Sequence, residues 1–486
     1  MKIRSFAMRF VLLLGISFMI ASCSPANTPG DAKGDEAGPK TEETGSVNET
    51  GKTEPPSDAA PRTIYFYGRA LSYPGEEEAM LDVISRFEKE FNATVETNFE
   101  GKASTIHERL QTARIANEQV DISMCSANKV NQIMVQAGMM LDLTTLIDPI
   151  KDRFNDNMFE PYTIGDHIWA IPFTQVSTST FFYNADMFQE SGLTPPKTYE
   201  ELVNIAEVLN ANGIMPVIHQ GKAPQMWPMW FMETYAQTTG NESIANVSEF
   251  LQGRRKFTTP EEVSAFEAIS RFKEDGIVAP QSLDTDGDGM RAAFVQGLAG
   301  MYYGGTWEVS RIRSLEPDFE VGVFPFPQLP GASGHPQHGG GPDLCLFIPS
   351  FAPSENLDLG LQFMEFVTRP ENANMLISPQ SPFYSSVKGV NSYDDPLTAT
   401  LQRDIYPDTI TFLDWIWPAE VNDAVVNGIS GIMAGSLSAQ QAADEVQKAY
   451  DQFVLEKDFT FNWWDSWTSE QWQDVTPEWA PTIVVK

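Results

Sequence analysis

Between Thr63 and Cys125 strand-like and helix-like runs alternate without a break, and this alternation restricts the chain to a sheet layered with helices. Thr63 to Tyr67 reads as a strand, Met80, Ile84, Phe87 and Phe91 recur on one helical face, and Thr94 to Phe99 reads as a second strand. Thr105 and Glu108 stand at capping-box spacing before a helix through Ile115, and Asp121 to Cys125 is the next strand. Strands separated by crossover helices predict a parallel sheet in an α/β fold. Ligands of such sheets sit beyond the carboxyl ends of the strands, which singles out Tyr67, Ser126 and Asn128 as polar candidates.

The chain has 486 residues, more than one hydrophobic core usually organises, so two lobes or more are expected. A second set of elements fits that expectation. Trp169 to Phe173 is followed by a polar run through Thr180, the apolar stretch Phe181 to Asn184, and Thr194-Pro195-Pro196-Lys197. Thr198 and Glu201 then stand at capping-box spacing, and Leu202, Ile205, Ala206 and Leu209 share one helical face. Asn212 and Gly213 stop that helix, and Met215 to His219 reads as a strand. A further helix opens at Thr259 with Pro260 in its first position and ends near Gly276. Ser438 and Gln441 give another capping box.

The stretch from Trp169 through Leu209 resembles the crossover and second lobe of bacterial extracellular solute-binding proteins of the maltose-binding type. Phe294 to Trp307, with the turn Gly304-Gly305-Thr306, resembles the family's later motif of helix end, strand and glycine turn, in which Thr306 is placed to cap the next helix. The resemblance implies a return crossover near Gly339 to Gly341, a strand from Asp343 to Pro349, a helix around Leu357 to Val367, and a last crossover between Pro379 and Val387. It implies a two-lobed periplasmic-binding-protein-like fold of type II, with discontinuous lobes joined by a hinge: 62–175 plus 338–378, and 176–337 plus 379–486. The Trp-rich tail from Trp463 to Trp479 departs from the pattern.

The N-terminus adds an address. Lys2, Arg4 and Arg9 precede an apolar run from Phe10 to Ile20 that is short for a membrane span, so residues 1–22 read as a signal peptide. Ile20-Ala21-Ser22-Cys23 resembles a lipobox, which implies lipidation at Cys23. Residues 23–61 are rich in Ser, Thr, Gly, Pro and Glu and read as a disordered tether. The formal net charge is -34, and removal of Lys2, Arg4 and Arg9 with the leader takes it to -37. Such a field repels phosphate backbones and anionic head groups, so nucleic acid is excluded as a partner and membrane attachment runs through the lipid alone. Besides Cys23 there are Cys125 and Cys345, read as two small buried hydrophobes with a disulfide between them as the alternative.

Candidate chemistry follows from the aromatic residues. Sugars need aromatic faces and planar polar groups, and Trp227, Trp230, Trp307, Trp415 and Trp417 fall near the expected cleft, with Gln175, Gln220 and Asp343 as further polar candidates. Asp284, Asp286 and Asp288, with Gly289 sixth, follow calcium-loop spacing, although Val295 stands where the closing acid belongs; a turn capping the next helix explains them equally. Ser385 and Lys388 have the spacing of a penicillin-binding motif without its companions, His335 and His338 lie among glycines, and the glycine pair Gly45 and Gly51 before Lys52 is one residue too long for a phosphate loop. The reading is therefore a lipid-anchored, monomeric binding component of an ABC importer on the extracytoplasmic face of the cell membrane, without cofactor unless the aspartates hold calcium. It captures a sugar or oligosaccharide by hinge closure, catalyses nothing, and hands the ligand to a permease. The alternatives are an extracytoplasmic carbohydrate-active hydrolase and a receptor for a non-sugar solute or sensor system.

Overall fold

Three strands, β1 (Arg62–Gly68), β2 (Ala93–Phe99) and β3 (Ile122–Ser126), form where the alternation places them, with β1 parallel to both neighbours. The computed structural model describes residues 60–71, 75–102, 105–127, 130–155, 158–173, 175–377, 384–390, 396–476, 483 and 485. The leader, Cys23, nearly all of the tether and Asn128 lie outside the described residues, as does the side chain of Gln175. Helices Glu76–Phe91 and Ile106–Ala116 are the crossovers of this sheet. Met80, Ile84 and Phe87 are buried as the helical spacing requires, and Phe87 packs edge-on against Phe363 of helix Leu357–Val367 at 5.0 Å.

After a small hairpin, β4 (Thr163–Ile164) and β5 (His167–Ile168), and the short β6 (Ile171–Pro172), the chain crosses into β7 (Gln175–Asn184). A second sheet is built around β7 by β8 (Met215–Ile218), β9 (Ala299–Gly305), β10 (Val321–Phe324) and β11 (His338–Gly341). The chain returns through Pro342 and Asp343 to β12 (Leu344–Phe347), which joins the first sheet antiparallel to β3. Residues of β13 (Tyr384–Ser385) then pair with the start of β7, and β14 (Thr409–Thr411) closes the edge of the second sheet beside β11. The first sheet has the order β2-β1-β3-β12-β6, and the second runs β14-β11-β7-β9-β8 with β10 and β13 also on β7. Three segments therefore pass the junction: the entry to β7, Gly341 to Asp343, and Tyr384 to Val387, where Val387 bridges to Phe154.

The capping boxes at Thr198 and Ser438 form with both reciprocal bonds. Three other expected caps do not. Thr105 turns its hydroxyl to the Lys102 carbonyl at 3.2 Å, and Thr259 donates to Glu261 at 2.9 Å, so neither bonds a helix amide. Thr306 instead accepts from the Thr178 amide at 3.2 Å, tying the turn to β7. A neighbouring carbonyl takes the Thr105 hydroxyl, a neighbouring carboxylate that of Thr259, and an amide of β7 that of Thr306, choices that spacing alone does not register.

The Trp-rich tail leaves helix Ala439–Lys457, which packs in the second half of the molecule, and returns to the hairpin of the first. Trp472 lies 4.6 Å from the His167 ring and 6.1 Å from Trp169, while the Val475 carbonyl accepts from the Asp142 amide at 2.7 Å. Trp464 covers Gly165, where a Cβ would meet its ring at 2.7 Å and where φ is +60°. The last stretch of the expected second lobe thus packs on the first sheet's hairpin. Among the described residues no helix is long and apolar enough to cross a membrane.

Candidate functional site

Strand β9 ends in Gly304 and Gly305, both buried, before the turn Thr306–Glu308 and the short helix Val309–Arg313. A Cβ on Gly305 would stand 2.1 Å from the Trp307 ring, so only glycine lets the indole fold back over the strand. The turn is held from below. Glu308, 1% exposed, pairs with Arg291 at 2.7 Å and Arg311 at 3.1 Å. Trp307 itself stays half-buried, 6.4 Å from Phe412, whose ring is 5.1 Å from Trp415. Trp415 in turn lies against Gly341, where φ is +120° and a Cβ would be 3.1 Å from the indole. An aromatic row therefore runs from the β9 turn to the crossover, and half-buried Trp307 is its least covered ring.

On the far side of that crossover the groups are polar. The Asp343 carbonyl accepts from the Ala127 amide at 2.7 Å, which sets it beside the end of β3 at Ser126. Burial pushes the Asp343 carboxyl up to about 6 against the downward pull of the Arg69 charge. Arg69 follows the last residue of β1 and bonds Glu76, in the first turn of the next helix, at 3.0 Å. Apolar faces at one end and a tunable carboxyl with a guanidinium at the other suit a small polyhydroxylated ligand. The junction also holds a cavity of about 380 Å³ lined by Glu160, Val176, Gly341, Tyr384, Tyr406 and Thr411, in which Thr411 donates to Glu160 across the junction at 3.3 Å. A larger hollow of about 660 Å³ lies among the outer helices and shares none of these groups.

Of the residues singled out in sequence, Trp307, Trp415, Asp343 and Ser126 come together here. Trp227, Trp230 and Trp417 do not, and the expectation that they offer ligand faces is corrected. Each is 1% exposed: Trp227 packs 4.4 Å from His219, Trp230 is ringed by Phe181, Tyr303, Phe272 and Phe326, and Trp417 donates to Asn422 at 3.3 Å. The helix Pro228–Thr238 is buried almost all round, so its tryptophans fill the core. Tyr67 is half-buried with its hydroxyl 3.4 Å from Glu118 and Arg109 5.5 Å from its ring, and buried Gln220 packs on the start of helix Gly287–Val295.

The calcium loop is likewise corrected. Asp286 accepts from the Gly289 amide at 2.9 Å as a helix cap, and that bond first, aided by Lys222 and Arg291, holds its carboxyl below the usual range; Asp288 pairs with Arg291. Asp284, Asp286 and Asp288 join no cluster, because among the described residues no three His, Cys, Asp or Glu side chains gather as a metal would need. His335 and His338 part company: the first is exposed beside Asp408, the second is buried 3.4 Å from Glu233. Arg69 and Phe412 escaped sequence reading. Their place at the site rests on Asp343 and Trp307, which are far from them in sequence, and a charged residue directly after a strand was the single local hint.

Comparison with known proteins bears on the family and the fold. The pattern of the family described as bacterial extracellular solute-binding protein matches residues 82–405. The multiple sugar-binding protein of Streptococcus mutans is 25% identical over 312 residues, 58% of this chain and 69% of that one. The sn-glycerol-3-phosphate-binding periplasmic protein UgpB of Escherichia coli is 23% identical over 253 residues, and the chain spans only about half, 53%, of its length. A solved chitin oligosaccharide binding protein superposes with a TM-score of 0.68 at 20% identity, covering 81% of this chain and 98% of that one. The raffinose complex of RafE gives 0.65 at 20% identity, covering 80% and 99%. These likenesses establish a shared two-lobed α/β fold.

Proposed function

The chain belongs to the bacterial extracellular solute-binding protein family, and from that premise we propose that it captures a sugar or oligosaccharide between its two lobes and delivers it to an ABC permease. The observation that carries the reading is the half-buried indole of Trp307, backed by the buried rings of Phe412 and Trp415, in a row that leads to the crossover. Sugar C–H faces stack on such rings, and hydroxyls bond a carboxylate such as Asp343. Capture is by hinge closure with no bond made or broken. Curated and solved relatives named for sugars support the ligand class. The likeness to UgpB favours a second reading, a glycerol phosphate ligand. Against it, the Arg69 guanidinium near the site is already committed to Glu76.

The deciding experiment is a thermal-shift screen of a sugar library together with sn-glycerol 3-phosphate, since a ligand that binds only the native state raises its Tm. A rise with one carbohydrate class and no loss of that sugar on prolonged incubation supports the reading. A rise with the phosphate alone moves the assignment to the second, and steady conversion of the sugar to product moves it to a hydrolase.

Two expectations accompany the proposal. Cys23, within the lipobox-like sequence, is the membrane attachment, so Cys23→Ala should leave the salt-washed membrane fraction; retention there would remove the anchor. The second concerns pH. A carboxyl raised to about 6 in the folded chain is protonated below that value, where it is a poor acceptor for ligand hydroxyls. Affinity should therefore rise between about pH 5 and 7 and stay flat in Asp343→Asn, as titration calorimetry would read. The contribution of Asp343 to the stability of the free protein has the opposite slope, being lost as pH rises from about 4 to 6 because there the folded state binds the extra proton, and it should be read as the difference in stability between the parent and Asp343→Asn.

A further inference from the structure

Apart from Cys23, the chain has two cysteines, and they touch. Cys125 of β3 and Cys345 of β12 are direct partners in the antiparallel register, 220 residues apart in sequence, with their sulfurs 3.4 Å apart. Both are 0% exposed. A buried residue touches about 6–12 others, so two cysteines placed at random in a folded part of more than 400 residues meet with a probability on the order of a few per cent. Opposed antiparallel residues have Cα atoms about 4.5–5.5 Å apart, within the span of a disulfide, and closing the gap moves each sulfur by about 0.7 Å.

We propose that Cys125 and Cys345 are joined as a cross-strand disulfide in the exported protein. The thiolate of one cysteine attacks a disulfide oxidant, of the class of a thiol–disulfide oxidoreductase or a small-molecule disulfide, and expels one thiol. The second cysteine then attacks the mixed disulfide and expels the other. The two cysteines lose two electrons and two protons, and the oxidant becomes two thiols. Closure belongs to folding, while β12 docks on β3. Once buried, the Cys345 thiol is driven far above its usual range, first by desolvation and then by Cys125, so the thiolate that exchange requires is scarce and a pair still reduced after folding reacts slowly. The oxidising space outside the cytoplasm supplies the condition. The bond would staple together the two strands whose ends carry Ser126 and Asp343, so it fixes the first-sheet side of the crossover independently of which solute is bound.

The test uses the full-length chain, unfolded, reduced, refolded in a mixture of reduced and oxidised glutathione, trapped with iodoacetamide in denaturant and mapped by mass spectrometry. Peptide mapping separates Cys125 and Cys345 from Cys23. The expected result is one linked peptide, about 2 Da lighter than its two parts, that becomes alkylated at both positions only after reduction. Reductant should also lower the Tm of the oxidised protein by several degrees and leave that of the Cys125→Ala, Cys345→Ala double variant unchanged. Recovery of both cysteines alkylated without prior reduction, or of glutathione adducts without a linked peptide, overturns the proposal. The same mapping on protein extracted from its own cell envelope applies where refolding fails, with the same two outcomes.

Discussion

Replacing Trp307 with alanine is expected to raise the Kd for the sugar ligand roughly thirtyfold, about 2 kcal/mol, while changing the stability of the free protein little. The two effects separate because of where the indole sits. It is half-buried, lies over the backbone of Gly305 and meets Phe412 at 6.4 Å, so its loss opens no closed cavity. Trp230→Ala provides the contrast. That ring is 1% exposed among Phe181, Phe272, Tyr303 and Phe326, and truncation should cost about 3–5 kcal/mol of stability. Calorimetric titration of both variants with the sugar found in the thermal screen, alongside urea unfolding, distinguishes binding from core. A folded Trp307→Ala protein with unchanged affinity would take the indole out of the site. Trp307→Phe should fall between, since a smaller face remains.

The contrast between those two tryptophans shows how far sequence reading reaches. The strands and helices of the first sheet were legible because their signals are local: alternation, a 3.6-residue apolar stripe at Met80, Ile84 and Phe87, and the reciprocal caps at Thr198 and Ser438. The return crossover, expected near Gly339 to Gly341 from the family resemblance, falls just after it at Pro342 and Asp343, because 338–341 form β11 of the second sheet. Which tryptophan stays partly open was not legible, because Trp227 and Trp307 both follow a strand and differ in what packs over them. Helix Pro228–Thr238 is covered on nearly every side, whereas the turn at Trp307 is covered from beneath. Three threonines chosen as caps failed for the same reason, each finding a partner that spacing does not reveal. The aspartates at 286 and 288 satisfied the ligand spacing of a calcium loop and the sequence of a helix cap alike, and nearby arginine and lysine charges favour the cap.

Glu308→Ala should be the costliest substitution near the site, with a loss of about 3–5 kcal/mol in urea unfolding, because it removes the acid from a buried group and leaves two guanidiniums behind. Glu308 is 1% exposed, while the side chains of Arg291 and Arg311 are 15% and 35% exposed. Arg291 keeps its pairing with Asp288 and water reaches both cations in part, which favours the lower end of that range. A loss below about 1 kcal/mol would mean that the pairs behave as surface ones. Glu308→Gln keeps an acceptor of nearly the same shape and should lose less. Its use is in the binding measurement: the 306–308 turn is fixed to β7 through Thr306 and to helix Gly287–Val295 through Arg291, and Trp307 sits between those two ties. If they aim the indole, Glu308→Gln should weaken sugar binding and shift the tryptophan emission that ligand perturbs, although residue 308 touches no ligand. If the glycines of the turn suffice, affinity and emission will stay as in the parent while only stability falls. A double-mutant cycle with Arg291→Ala then separates the routes, since coupling in affinity as well as in stability is expected only when the ion pair holds the turn that carries Trp307.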